Sequence, residues 1–154
     1  MSTGLGVISG PLHGVASAAV QELFAESARL GDAAQTVGDV VRLSGRVPGF
    51  GHTLCTQQDP RYSALMTPVV EAWADDPRLK QVYRVRDVVG ARRDEFPNVD
   101  LAMGAFTWLA GMAPNAGETI FAIARTAGWL AHAVEERDEA PLRFRPRARY
   151  LGPC

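Results

Sequence analysis

Apolar positions along the chain recur at helical spacing, with almost no strand-like alternation. Over residues 15–30 Ala16, Val20, Leu23, Phe24 and Leu30 fall along one side, the period of an amphipathic helix. Gly31-Asp32 then reads as a C-terminal stop followed by a new N-cap. A second short helix is predicted over 33–43, carrying Ala33, Val37, Val40 and Val41. The period lapses between Gly45 and Pro60, where Gly, Pro and polar residues form a long loop, a kind of segment that often carries function. It returns over 61–74, with Pro68 expected to kink or break the helix. Asp76-Pro77 looks like an N-cap with proline at the first helical position, opening a charged, half-exposed helix over 77–93. Phe96-Pro97-Asn98 ends it, and a further helix is expected over 100–112. The most apolar stretch, 118–136, reads as a buried helix, and the basic tail 143–154 as extended chain. The predicted fold class is all-α.

Composition narrows the classes. The chain has 154 residues, 47% of them apolar and 21% charged, which is globular composition with enough material for a real core. Sixteen basic residues against 17 acidic ones leave a formal charge of −1. No basic stripe marks a nucleic-acid surface. No apolar run reaches the roughly 20 residues of a membrane span, and the N-terminus lacks a signal-peptide pattern. Cys55 and Cys154 lie far apart and match no metal spacing, so a reduced, cytoplasmic chain with no metal is expected.

A few residues stand out chemically. His13, between Gly10 and Gly14 and just ahead of a helix, suits a neutral imidazole donating to a developing enolate; taken alone it reads more simply as a turn histidine that starts a helix. His52 closes Val47-Pro48-Gly49-Phe50-Gly51-His52, whose glycines would let backbone approach a flat heterocycle, or form an ordinary turn. Arg61, in Asp59-Pro60-Arg61-Tyr62, suits bidentate carboxylate binding or a solvated surface charge. Asp100, after Asn98-Val99, is an N-cap or a catalytic base in a desolvated cleft. Arg125 lies in an otherwise apolar helical run, so it pairs there or faces a ligand. His132 reads as a packed or interface histidine, and Arg145 as part of a basic tail.

Taken in order, GPLHG (10–14), VPGFGH (47–52), DPRY (59–62), NVD (98–100), IARTAGWLAH (123–132) and RPRARYLGP (145–153) resemble the citrate synthase family, including citrate and 2-methylcitrate synthases. The similarity runs from about Leu5 to Pro153. It implies a remnant of the large domain with the first histidine motif over 1–14. It also implies a small helical domain over 15–112, and the last large-domain helix and arm over 113–154, the N-terminal helices of the family being missing.

The same resemblance implies an acyl-CoA condensing enzyme of central carbon metabolism. Asp100 would take a proton from the α-carbon of the thioester. His13 would stabilise the enolate, and His52 would polarise the ketone of oxaloacetate or a related 2-oxo acid. Arg61, Arg125 and Arg145 would hold its carboxylates, Arg145 across a dimer. The backbone of Val47, Gly49, Phe50 and Gly51 would meet the adenine of coenzyme A, which is substrate; no cofactor is implied. Two departures matter: Val15 replaces a second glycine, and Thr56 stands where a basic residue often meets CoA phosphate. Without its usual neighbours the helix at 15–30 is expected to expose an apolar face. Three readings follow: a subunit completed by a chain bearing the missing helices, a self-assembling homo-oligomer with diverged carbon–carbon chemistry, or a non-catalytic acyl-CoA-binding module.

Overall fold

A computed structural model describes residues 15–52, 59–93 and 95–138. Among these, six helices follow one another: α1 (Ala16–Leu30), α2 (Ala33–Ser44), α3 (Pro60–Ala72), α4 (Pro77–Arg93), α5 (Val99–Leu109) and α6 (Ala116–Asp138). The sole strand-like pairing among the described residues is a bridge between Phe50 and Pro97. The fold is all-α.

Local chemistry explains the boundaries. Gly31 adopts a left-handed conformation (φ 72°) and its amide closes on Ser27, while Asp32 caps α2 by accepting from the Gln35 amide at 2.9 Å. Asp76 accepts from the Arg78 amide at 2.8 Å and so starts α4. The helix containing Pro68 neither stops nor restarts there; α3 continues through it. Both Pro68 and Ala64, whose carbonyl loses its partner, are exposed, so the proline does not leave a buried carbonyl unsatisfied.

The core forms where α1 crosses α5. Val20, Phe24, Leu101 and Ala105 are fully buried there. Gly104 permits the close approach, because a Cβ at that position would lie 2.4 Å from Val20 Cγ1. The core side of α4 supplies Val82, Val85 and Val89 and packs on α1, α2 and α5, while α3 packs on α5. Burying each such side chain is worth about 1.5–3 kcal/mol.

Two expectations are corrected. The side of α1 turned to solvent carries Glu22, Glu26 and Arg29 with small alanines, and of its large apolar residues only Leu30, at its last turn, is exposed. The sizeable apolar face belongs to α6 instead. That helix packs on α1 and α5 near its start, where Gly117 is buried against Ser17. Beyond it Ile123, Leu130 and Val134 are 70%, 53% and 59% exposed. Apolar composition signals a helix that can be buried; among the described residues no element lies over it.

Candidate functional site

The loop after α2 and the segment before α5 are fastened together by backbone hydrogen bonds. Gly51 N–H donates to the Phe96 carbonyl and Asn98 N–H to the Gly49 carbonyl, each at 2.9 Å. Gly49 has to be glycine: its φ is +85°, and a Cβ would meet Val20 and Leu101 at 2.8 and 2.9 Å. Val47 and Gly49 are buried, and Phe50 packs on the core from the loop. The pairing sets His52, at the end of the loop, beside the start of α5, which carries Asp100.

Asp59 is the second fastening. Its carboxylate is fully buried. Oδ1 accepts from the Arg61 amide (3.0 Å) and Arg61 Nε (2.9 Å), and Oδ2 from Arg61 Nη2 (3.0 Å) and the Val99 amide (2.9 Å). One carboxylate therefore caps α3 and holds the first residue of α5. Burial works to raise its pKa, but the bonds from Arg61 and Val99 outweigh it and hold the carboxyl below its ordinary value.

Arg61 continues outward. Its side chain is half exposed, and Nη2 lies 2.9 Å from His52 Nε2. A guanidinium only donates, so this contact is a hydrogen bond with Nε2 as the acceptor. Tyr62, next in sequence, is half-buried, and its phenol is pushed up by burial against the opposing pull of Arg86. Arg86 itself stacks on Tyr83 at 4.6 Å and pairs with Asp87, so the first turn of α3 is also steadied from α4.

Asp100 is not the N-cap of α5. Asn98 is, accepting from the Asp100 amide at 2.9 Å, which leaves the Asp100 side chain half-buried in the first turn. His52, Arg61 and Asp100 thus come from one clasp formed by the loop, Asp59 and the N-termini of α3 and α5. Arg125 does not share the buried setting expected of it. It is exposed on α6, with its guanidinium folded over Gly128. His132 is also exposed and contacts Glu135 at 3.0 Å. His13, Arg145, Cys55, Thr56 and Cys154 lie outside the described residues.

Sequence reasoning overlooked the roles of Asp59 and Asn98. The signal for Asp59 was the Asp-Pro start of α3, the same that marked Asp76; Asn98 was used only as a helix breaker. Among the described residues, no group of three or more His, Cys, Asp or Glu is placed to hold a metal ion, and no helix is long and apolar enough to cross a membrane.

These features define an all-helical domain that presents an imidazole, a guanidinium and a carboxylate from one hydrogen-bonded clasp. The family model "Citrate synthase, C-terminal domain" matches residues 1–147, and the chain belongs to the citrate synthase family. It is 30% identical over 164 residues to a citrate synthase of Saccharolobus solfataricus, covering 99% of this chain and 43% of that protein. It is 33% identical over 156 residues to one of Dictyostelium discoideum, covering 96% and 30%. Among solved structures it is similar to the citrate synthase of Thermoplasma acidophilum in ternary complex with carboxymethyl coenzyme A and oxaloacetate. There the TM-score is 0.82 at 27% identity, over 100% of this chain and 44% of that one. The chain therefore spans less than half the length of these relatives.

Proposed function

We propose that this chain carries the condensing site of a citrate synthase-like enzyme and works with a second chain that supplies the rest of the large domain. The observation that carries the reading is the clasp: His52, Arg61 and Asp100 arise from three separate segments, and Asp59 and Asn98 tie those segments together.

In this reading Asp100 removes a proton from the α-carbon of an acyl-CoA thioester, and His13 donates a hydrogen bond to the resulting enolate oxygen. The enolate carbon attacks the ketone carbon of oxaloacetate or a similar 2-oxo acid, whose oxygen His52 polarises through a hydrogen bond; the alkoxide formed takes up a proton from solvent, and Asp100 releases the one it removed. Water then cleaves the thioester, releasing coenzyme A as the thiol and the product as a carboxylate. Arg61 binds one carboxylate of the electrophile, with Arg125 and Arg145 as further cations. A carboxylate arriving at Arg61 competes with His52 for Nη2, so electrophile binding transfers that donor from the ring to the ligand. The backbone of Val47, Gly49, Phe50 and Gly51 receives the adenine, and coenzyme A is substrate, with no cofactor. The cytoplasm is the proposed setting. The exposed Ile123, Leu130 and Val134 of α6 support the need for another chain.

The test is a thiol-release assay with acetyl-CoA or propionyl-CoA plus oxaloacetate, on the purified chain alone and mixed with a chain bearing the N-terminal citrate synthase helices. Turnover is expected only in the mixture, and Asp100→Asn should lower it by about 10²–10⁴-fold. Full activity of the pure chain refutes the partner requirement, and turnover unchanged by Asp100→Asn refutes the condensing mechanism.

A further inference from the structure

The Asn98 side chain and backbone use all four of their hydrogen-bonding atoms, and they divide them evenly between two segments. Towards the loop, Nδ2 donates to the Gly51 carbonyl at 2.8 Å and the backbone N–H to the Gly49 carbonyl at 2.9 Å. Towards α5, Oδ1 accepts from the Asp100 amide at 2.9 Å and the backbone carbonyl from the Leu101 amide at 3.1 Å. The residue is buried, at 9% exposure.

Capping alone does not call for asparagine. Serine, threonine or aspartate offers the same acceptor to an N2 or N3 amide. What asparagine adds is a donor at the far end of the same rigid amide plane, and here it reaches the carbonyl whose peptide leads into His52. One planar group is therefore bonded on one edge to the peptide of His52 and on the other to the peptide of Asp100. Displacing the loop moves the amide plane, and the plane carries the first turn of α5 with it.

We propose that Asn98 is a positioning residue that couples the glycine loop at 47–51 to the carboxylate at 100, so that occupation of the loop is transmitted to the base. This rests on the condensing function proposed above. It makes the spacing of His52 and Asp100 respond to the acyl-CoA itself, where small displacements of reacting groups carry large rate penalties.

The test uses nuclear magnetic resonance of the full chain labelled with 15N, reading the amide signals of Asp100 and Leu101. The loop is perturbed in two ways: by acetyl-CoA, and without ligand by Gly51→Ala, whose Cβ would meet nothing within 4 Å and which therefore strains only the backbone at φ +73°. In the native background both perturbations are expected to shift Asp100 and Leu101. With Asn98→Ser, whose hydroxyl can cap but cannot also reach the Gly51 carbonyl, or Asn98→Asp, which caps but puts an oxygen where the donor was, the response should fall by about fivefold or more, while Gly49 still responds and the chain stays folded, at a lowered thermal midpoint. A purely structural cap predicts the opposite, since both variants still cap. A response at Asp100 as large in these variants as in the native chain overturns the proposal, as does a native chain whose α5 amides ignore Gly51→Ala. A loop silent towards acetyl-CoA, with the Gly51→Ala effect present and abolished by Asn98→Ser, counts against the function and in favour of the coupling.

Discussion

Replacing Asp59 by asparagine changes one atom and should disable the clasp. The native carboxylate gives two acceptors to four donors: the Arg61 amide and Nε on one oxygen, Arg61 Nη2 and the Val99 amide on the other. An asparagine amide keeps one oxygen and turns an NH2 towards the other pair, so donors face donors. The side chain of Arg61 is half exposed and can turn to water. A backbone amide cannot, and leaving one buried without a partner costs about 1–3 kcal/mol. With the weakened ion pair added, the expected loss is about 2–3 kcal/mol, or about 5–10 °C in the thermal midpoint of a chain this size. Urea unfolding of both proteins as a function of pH checks the reasoning. The folded pKa of Asp59 is depressed, so its stabilisation is present above the unfolded value and disappears as pH falls through the folded one. The gap between native and variant should therefore be flat from neutral pH to about pH 5 and close below about pH 4. Equal stabilities at neutral pH, or a gap that does not narrow as pH falls below about 4, would refute it.

Gly49→Ala should destabilise by about 3 kcal/mol or more, because a left-handed backbone and two overlapping side chains add together. Gly45→Ala, with φ +74° and open space around it, should cost only about 1–2 kcal/mol in the same urea titration. Arg78→Ala removes the donors at 3.2 and 2.9 Å from the Trp108 and Leu109 carbonyls at the end of α5. It should lower stability by about 1 kcal/mol after allowing for solvent screening. Arg29→Ala, which breaks only an exposed pair with Glu26, should leave the midpoint unchanged.

Helix positions were legible from the sequence because each boundary has a local cause: Gly31 and Asp32, Asp59-Pro60, Asp76-Pro77 and Asn98 act within one turn of chain. The use made of those residues was not. Asp59-Pro60-Arg61 and Asp76-Pro77-Arg78 are the same tripeptide and fold the same way, each aspartate accepting from the amide and guanidinium of the arginine two residues on. Yet Arg61 extends to His52 while Arg78 extends to carbonyls of α5 and lies 5.9 Å from the Trp108 ring. Only tertiary neighbours separate a candidate ligand arginine from a helix-end brace. The same limit misplaced 118–136: periodicity reports that a helix has a face to bury, not whether this chain supplies the cover. Arg125 inherited that error, since its burial was inferred from the apolar residues around it.

The hydrogen bonding at the clasp also decides what can bind a dicarboxylate there. Two helices start at Asp59, and helix N-termini commonly hold anions through their unpaired amides. Here those amides are engaged. Arg61 N–H is on the Asp59 carboxylate and Tyr62 N–H on its backbone carbonyl; Val99, Asp100 and Leu101 N–H are on Asp59 and Asn98. The charge of Arg61 is in turn balanced by Asp59, whose depressed pKa keeps it ionised at neutral pH. An electrophile with two carboxylates therefore finds directional recognition at Arg61 but little surplus positive charge. The surplus has to come from cations outside the clasp. In the proposed function these are Arg125 and Arg145, together with residues of the second chain. In the proposed function the clasp would then fix the geometry of the reaction, and the second chain would supply most of the affinity.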